Sequence, residues 1–354
     1  MEHWLGVTLP QLVAAGNMAP STLDSYRSNA ELHILPDLGR ITLRNLTAPR
    51  IRQWQHDLSR KPSARTPRRL RRGETEVPDA ERLSARTVAY CRAILHKALA
   101  DAIADQVWGM RTNPVDIVRP PKQKSQEATP PSLDEAAALM AAASQDKWSC
   151  LWLVILALGL RRGEALGLRW ADVDFDKSTI RVRAMIQRQR GDVDEETGRR
   201  AGRLVSKDLK TEGSAKTLPV PASAMAELKE WRKAQHAMRV QAPVWLAEDL
   251  VFTTSLGTAI EPRNVNRQWA LVCREAGTRP FRVHDLRHAW ATYLLDRSVN
   301  LKTIQAGLRH TQLATTQRYV HTFEELSREA ADVMDTVLVD LRQAAASKAR
   351  RRSS

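Results

Sequence analysis

The sequence predicts a mainly α-helical protein with a small antiparallel β-sheet, divided into two domains. Its length of 354 residues is typical of about two domains. Helical patterns dominate both halves, β-branched alternating segments occur between Thr179 and Val220, and a proline-rich stretch separates the halves. A hydrophobic content of 43% provides enough apolar side chains for packed cores, which excludes a wholly disordered chain.

The first domain is predicted to be a small helical bundle. Helical patterns run over residues 21–32, 48–59 and 84–105, and Ser21 and Ser84 are the predicted N-caps of the first and third helix. Strand signals in this part of the chain are weak, so a bundle is favoured over a mixed fold.

A strongly basic segment interrupts the first domain. Residues 60–72 read RKPSARTPRRLRR, with an acidic patch after them. Two interpretations stay open and are compatible: a solvated surface loop and a loop that contacts DNA. On the second interpretation the candidate DNA contacts are Arg68, Arg69, Arg71 and Arg72.

Four prolines mark the boundary between the two halves. They lie in RPPKQKSQEATPPS, from Arg119 to Ser132, where lysines and glutamines separate them. Proline lacks the amide hydrogen that a helix interior needs, so this run cannot continue a helix. We expect an extended interdomain linker over residues 119–131.

The second domain begins with a helix and contains the predicted sheet. Ser132-Leu-Asp-Glu135 forms a capping box before an alanine-rich helix, and a buried helix follows over residues 150–160. Alternating β-branched residues at 179–186 and 218–220 predict an antiparallel sheet, with a long charged turn between them. From Pro221 onward the chain is again mostly helical.

Charge and cysteine content exclude several classes of protein. The net charge of +15 indicates a polyanionic partner, either nucleic acid or an anionic membrane surface. The three cysteines are scattered, which excludes a disulfide framework and a CxxC metal site. We find no signal peptide, and the most apolar stretch is shorter than the roughly 18 residues that a membrane span needs. We therefore expect a cytoplasmic protein whose partner is nucleic acid.

Two arginine-containing motifs in the second domain suit the binding of phosphate. Arg161, in GLRRGE, follows the buried helix, although alone it fits a surface arginine at a helix turn equally well. In HDLRH, helical spacing lets His284, Arg287 and His288 line one side of a helix. The two histidines also have zinc-ligand spacing, but the glutamate of HExxH is missing and Arg287 would place a cation beside the metal. A metal site is therefore disfavoured.

Two further motifs carry a lysine cluster, a histidine and a tyrosine. The basic turn SKDLKTEGSAKT contains Lys207, Lys210 and Lys216, any of which can reach a bound anion; in isolation the turn fits a solvated hairpin. The stretch GLRHT contains His310, and nine residues later Tyr319 lies in the polar sequence TTQRYVH. None of these motifs decides the function by itself.

Taken in order, the motifs resemble those of the tyrosine recombinase, or phage integrase, family. The matching stretches are GLRRGEALGLRW, LKTEGSAKTLPV, HDLRHAWATYLL and GLRHTQLATTQRYVH, and the resemblance covers residues 132–321. The segment STLDSYRSNAELHILPDLGRITLRNLT resembles the helical, SAM-like core-binding domain of the family. The resemblance implies this N-terminal domain and a C-terminal α+β catalytic domain.

The family resemblance implies a nucleophile, a base and two phosphate-binding arginines. Tyr319 corresponds to the tyrosine that attacks a DNA phosphodiester and forms a 3′-phosphotyrosyl bond. His284 corresponds to the residue that accepts its proton. Arg161 and Arg287 correspond to the arginines that hold the non-bridging oxygens, where negative charge accumulates in the transition state.

The same resemblance implies a leaving-group acid and three supporting residues. Lys210 corresponds to the hairpin lysine that protonates the departing 5′-oxygen, because Lys210-Thr211 matches the Lys-Thr pair of the family. His310 corresponds to a histidine that hydrogen-bonds the phosphate or the leaving group. Glu164 and His288 correspond to residues that orient the arginines and the tyrosine.

The resemblance also implies domain boundaries, partners and cofactor requirements. We expect a core-type DNA-binding domain at 1–118, a catalytic domain with a C-terminal docking helix at 132–345 and a basic disordered tail at 346–354. The expected partners are double-stranded DNA attachment sites, further copies of the chain in a tetramer on two DNA sites, and accessory directionality or DNA-bending proteins. Neither a metal nor another cofactor is expected, because the phosphotyrosine conserves the bond energy.

The expected function is that of a prokaryotic, DNA-associated integrase or excisionase of a phage or mobile element. A recombinase that resolves chromosome dimers would share the same catalytic residues. Two alternatives stay open: DNA relaxation of the type IB topoisomerase kind, and a non-catalytic DNA-binding protein with the same fold. The chain begins almost directly at the core-binding domain, so we expect no complete arm-binding domain before it.

Overall fold

The computed structural model describes residues 1–63, 78–106, 111–122, 129–193, 200–208, 216–246, 249–296 and 301–308. The protein is mainly α-helical with small antiparallel sheets, as the sequence predicts. The chain separates into two compact units, Met1–Glu127 with Gln189–Ala201 and Ala128–Arg188 with Gly202–Ser354. Each unit has its own hydrophobic core.

The described residues within Met1–Glu127 of the first unit form a helical bundle. Its helices are α1 (Leu9–Ala14), α2 (Pro20–Asn29), α3 (Leu35–Leu38), α4 (Ala48–Arg60) and α5 (Ala85–Ala104). The prediction for Ser84 is confirmed, because its side chain accepts a hydrogen bond from the backbone of Thr87. The prediction for Ser21 is wrong: Pro20 is the first helical residue and Ala19 the N-cap, since a proline at that position gives up an amide that would lack a partner anyway.

The second unit begins with a helix that is capped as predicted. The helices of this unit are α6 (Leu133–Ser144), α7 (Ser149–Leu158), α8 (Arg162–Leu166), α9 (Ala222–Gln241), α10 (Pro262–Glu275), α11 (Val283–Asp296) and α12 (Leu301–Leu308). The capping box is confirmed, because Ser132 and Glu135 each accept a hydrogen bond from the other's backbone amide.

Helix α7 lies at the centre of the second core. Six of its ten residues are buried, among them Trp152 and Ile155, which confirms the predicted buried helix. It packs against α6, α9 and α11. A smaller cluster formed by Ala291, Leu295, Ile304 and Leu308 joins α11 to α12. The second core thus fixes the end of α7, the start of α8 and helix α11 relative to one another.

The second unit contains a three-stranded antiparallel sheet. Strands β1 (Val173–Asp174), β2 (Thr179–Val182) and β5 (Lys216–Pro219) pair in the order β1-β2-β5, with Ile180 opposite both Val173 and Leu218. Strands β3 (Ala184–Val193) and β4 (Arg200–Asp208) form a separate two-stranded sheet.

The sheet differs from the prediction in two respects. The predicted strand at 179–186 is divided between β2 and β3, and most of the charged stretch predicted as a turn belongs to β3 and β4. Antiparallel ribbons accept polar residues on a face exposed to water, so charge alone does not indicate a turn.

No helix among the described residues is long and apolar enough to cross a membrane.

Candidate active site

The site begins at the turn that ends α7. Gly159 has a φ of +57°, a conformation that glycine adopts at little cost. A β-carbon at this position would come within 2.9 Å of the Trp290 ring on α11. The Trp290 indole also donates a hydrogen bond to the Ala157 carbonyl at 3.1 Å. The turn and α11 are therefore in close contact, and the chain leaves this turn at Arg161.

Glu164 is a buried carboxylate that faces two arginines. Its side chain accepts hydrogen bonds from the Arg161 backbone amide and from the Arg161 guanidinium, both at 2.8 Å. One of its oxygens lies 4.0 Å from the Arg287 guanidinium. Glu164 is only 1% exposed, whereas the Arg161 side chain is 42% exposed. Glu164 thus holds the start of α8 while the Arg161 guanidinium remains accessible.

Arg287 is buried and bound to the backbone on two sides. Its residue exposure is 1%, and its guanidinium donates hydrogen bonds to the carbonyls of Gly159 and Leu308. Carbonyl dipoles and the Glu164 carboxylate compensate the buried positive charge. In this arrangement Arg287 joins the Arg161 turn to the end of α12.

His284 lies at the first turn of α11 with His288 one turn later. Their rings are nearly perpendicular, with centroids 4.8 Å apart. His284 as a residue remains exposed, yet partial burial of its ring lowers its pKa to about 4, with further lowering by His288, Arg287 and Arg161 and a smaller opposing effect of Asp285. At neutral pH the imidazole is therefore uncharged and keeps a lone pair that can accept a proton.

Arg161 and His284 open into one cavity of about 470 Å³. The side chains that line it are Arg161, Arg162, Asn266, Trp269, Phe281, Arg282, Val283 and His284, together with Gly163. Among the described residues this lining contains three arginines and no carboxylate, which suits a polyanionic ligand. A larger cavity of about 880 Å³ along α9 contains none of the predicted site residues.

The structure brings together five of the predicted site residues: Arg161, Glu164, His284, Arg287 and His288. The other predicted residues lie outside the described residues, namely Lys210, His310 and Tyr319 and the candidate DNA contacts Arg68, Arg69, Arg71 and Arg72. Among the residues that the structure describes, no cluster of three or more histidine, cysteine or acidic side chains could hold a metal ion.

Sequence reasoning missed four residues that line the cavity: Arg162, Asn266, Trp269 and Arg282. The GLRRGE motif contains Arg162, but nothing in the motif indicates a role for it. Asn266 and Trp269 lie on α10, whose buried Val265, Trp269 and Val272 have helical spacing in the sequence. That periodicity predicts the helix, but not that Asn266 and Trp269 line this cavity.

Comparison with protein families gives two matches along the chain. Residues 132–325 match the phage integrase family, and residues 13–59 match the N-terminal SAM-like domain of phage integrases. The first match alone spans more than half of the chain. It begins at the capping box of α6 and includes every described residue of the candidate site.

Two relatives are similar to this chain at moderate identity. A tyrosine recombinase XerC-like protein of Caldanaerobacter subterraneus subsp. tengcongensis is 32% identical over 53% of this chain and 49% of its own. An integrase of Saccharopolyspora erythraea is 26% identical over 64% of this chain and 62% of its own. The chain thus spans about half of the length of the first relative and less than two thirds of the second.

Solved structures with the same fold include two integrases. The Tn1549 transposon integrase in complex with transposon right end DNA gives a TM-score of 0.70 at 17% identity, over 93% of this chain and 99% of that one. A lambda integrase tetramer bound to a Holliday junction gives a TM-score of 0.57 at 17% identity, over 87% and 74% of the two chains. At this identity the likeness establishes a shared fold.

Proposed function

The chain belongs to the phage integrase family of tyrosine recombinases, and from this membership we propose that it is a site-specific DNA recombinase of a phage or mobile element. It would cut and rejoin DNA through a 3′-phosphotyrosyl intermediate, without ATP or metal. The observation that carries the proposal is the joint placement of Arg161 and His284 in one cavity, with Glu164 and Arg287 behind the Arg161 turn.

Of the two arginines proposed to bind phosphate, Arg161 is better supported by its exposure and its contacts. Its guanidinium is accessible, and Glu164 fixes its orientation from the buried side. A preoriented guanidinium stabilises the pentavalent transition state more than the ground state, because negative charge builds up on the non-bridging oxygens during attack. Arg287 is 1% exposed, so it would supply a second contact only if the site opened to admit the phosphate, for example by release of one of its two carbonyl partners.

The proposed reaction starts with the hydroxyl of Tyr319. Its oxygen forms a bond to phosphorus while the bond from phosphorus to the 5′-oxygen breaks. His284 accepts the tyrosine proton, and Lys210 donates a proton to the departing 5′-oxygen. His310 hydrogen-bonds the phosphate or the leaving group. The roles of Tyr319, Lys210 and His310 rest on their positions in the family motifs.

The low pKa of His284 agrees with a role as proton acceptor. At neutral pH it is unprotonated, so it is available before the reaction begins. Two of its positive neighbours, Arg161 and Arg287, depress that pKa, and a bound phosphate would offset their charge. DNA binding would therefore raise the pKa of His284 toward its ordinary value and strengthen it as a base.

The proposed partners follow from the same premise. The substrate would be double-stranded attachment-site DNA, with residues 1–118 as a second DNA-contacting domain and 119–131 as the linker. Four copies would assemble on two DNA sites. The catalytic domain at 132–345 of each copy would dock its C-terminal helix on a neighbouring copy. An accessory directionality or DNA-bending protein would assist the reaction. The related integrase structures contain DNA, and one of them is a tetramer on a Holliday junction.

The decisive test is covalent trapping on DNA. A nicked duplex that carries the end of the protein's own mobile element, with its flanking DNA, prevents religation after cleavage. We expect the wild-type protein to form a covalent adduct and Tyr319→Phe to form none. Arg161→Ala should slow adduct formation by about 10²–10³-fold, the effect of losing one preorganised transition-state donor.

A matched control and an exchange assay complete this test. Lys233→Ala, an exposed position on α9 that is outside the cavity, should trap at the wild-type rate. An adduct with Tyr319→Phe would show that the nucleophile is another residue. DNA relaxation without strand exchange on paired sites would favour the topoisomerase activity and contradict the recombinase proposal.

A further inference from the structure

A second group of hydrogen-bond donors lies beside Arg161 in the same cavity. Arg162, the next residue, donates one hydrogen bond from its guanidinium to the Asn266 side chain on α10, at 2.6 Å. Its Nε is buried and has no hydrogen-bond partner among the described residues. A buried donor without an acceptor costs about 1–3 kcal/mol, so native proteins seldom retain one without a use for it.

Trp269 provides an independent sign of the same kind. It lies one turn after Asn266 on α10, is 1% exposed and lines the cavity. Its indole Nε1 likewise has no acceptor in the described part of the chain. Two unsatisfied N–H donors, in a cavity wall whose described residues include no acidic side chain, indicate a ligand that brings acceptor oxygens.

The charges around Arg162 favour an anion over an internal ion pair. Glu261 is the acidic group that acts on Arg162 electrostatically. Arg188 binds Oε2 of its carboxylate, and the buried Oε1 has no hydrogen-bond partner among the described residues. Arg282 adds an exposed guanidinium to the cavity lining. Arg162 and Arg282 thus contribute positive charge next to Arg161 without a carboxylate to neutralise it in the lining.

We propose that Arg162 and Arg282, with the N–H groups of Asn266 and Trp269, form a second phosphate subsite. It binds the DNA backbone phosphate next to the one held by Arg161. A guanidinium and neutral N–H donors are the groups that bind phosphate oxygens in proteins. Release of the single hydrogen bond to Asn266 lets the long Arg162 side chain turn its Nε toward the phosphate. This inference rests on the proposed function, because it identifies the cavity's ligand as DNA.

The salt dependence of DNA binding tests the subsite without requiring cleavage. The affinity of the full chain for a 30-base-pair duplex of arbitrary sequence is measured between 50 and 200 mM salt, as log Kd against log salt concentration. For Arg162→Gln we expect a slope reduced by about one and an affinity about tenfold weaker at the lowest salt concentration. Arg162→Lys keeps the charge and should keep most of the slope, and Lys233→Gln on α9 should keep all of it.

An adduct assay then locates the contacted phosphate. A neutral methylphosphonate next to the scissile phosphate should slow adduct formation about tenfold in the wild-type protein and cause no further loss in Arg162→Gln. An unchanged salt slope in Arg162→Gln, with a lower melting temperature, would show that Arg162 merely joins α8 to α10 and would overturn the subsite. If the salt slope falls in Arg162→Gln but the wild-type protein forms no adduct, the subsite is supported and the recombinase function is contradicted.

Discussion

Replacing Glu164 by glutamine removes a buried negative charge that two arginines share. The carboxylate accepts two hydrogen bonds from Arg161, at 2.8 Å each, and lies 4.0 Å from the Arg287 guanidinium. Arg287 is 1% exposed, so it cannot regain contact with water when that charge is lost. Glu164→Gln retains the shape of the side chain, which makes charge the main difference.

The expected loss of stability is about 3 kcal/mol, at the lower end of the 3–5 kcal/mol that breaking a buried ion pair costs. The lower end applies because Arg287 is separated from the carboxylate by 4.0 Å and keeps its two carbonyl acceptors. Arg161 adds less than about 1 kcal/mol, since its side chain is 42% exposed and water screens the pair.

Thermal unfolding provides the measurement. For a unit of this size, about 3 kcal/mol corresponds to a melting temperature lower by roughly 6–12 °C. The matched control is Glu230→Gln, because Glu230 pairs with Lys233 on the surface of α9 and both side chains are more than half exposed. That variant should melt within about 1–2 °C of the wild type. An equally small effect of Glu164→Gln would refute the view that Glu164 compensates the charge of Arg287.

Three further predictions concern the same unit and the cysteines. Gly159→Ala should destabilise the protein by about 2 kcal/mol in urea unfolding, since alanine is strained at φ +57° and its β-carbon would meet Trp290 at 2.9 Å. An unchanged urea midpoint would contradict this packing. An NMR titration should give His284 a pKa of about 4, below its ordinary 6.5. The unfolded chain therefore binds this proton more readily than the folded protein, so the stability that the neutral His284 provides is complete above pH 6.5 and is lost as the pH falls toward 4. A pKa at or above 6.5 would be contrary evidence. Native thiols should react with iodoacetamide far more slowly than unfolded ones, because burial raises the pKa of all three cysteines, Cys91, Cys150 and Cys273.

The sequence predicts those features that depend on local patterns. The capping box at Ser132 and the buried helix α7 follow from residue types and spacing, and the structure confirms both. Strand β4 and the charged part of β3 are not predicted, because their charged residues resemble a solvated turn. A strand in a two-stranded ribbon gains its stability from pairing with its neighbour, and that partner cannot be identified from the strand's own composition.

The candidate site illustrates the same difference. Helical spacing placed His284 and Arg287 on one side of α11, yet His284 is exposed and Arg287 is buried. Residues three apart on a helix differ by about 60° in direction, so one can point into a cavity while the other points into the core. Packing of α11 against α7 determines this division, and the spacing within one helix contains no information about it.

Arg287 also explains why motifs far apart in the sequence belong to one site. Its guanidinium bonds the Gly159 carbonyl, two residues before Arg161, and the Leu308 carbonyl, two residues before His310. One side chain therefore holds both the turn that leads to Arg161 and the end of α12, from which the chain continues to His310 and Tyr319. If phosphate replaces either carbonyl as a partner of Arg287, DNA binding alters the hold on one of these two segments. Phosphate binding and the placement of the catalytic groups would then be coupled through a single buried guanidinium.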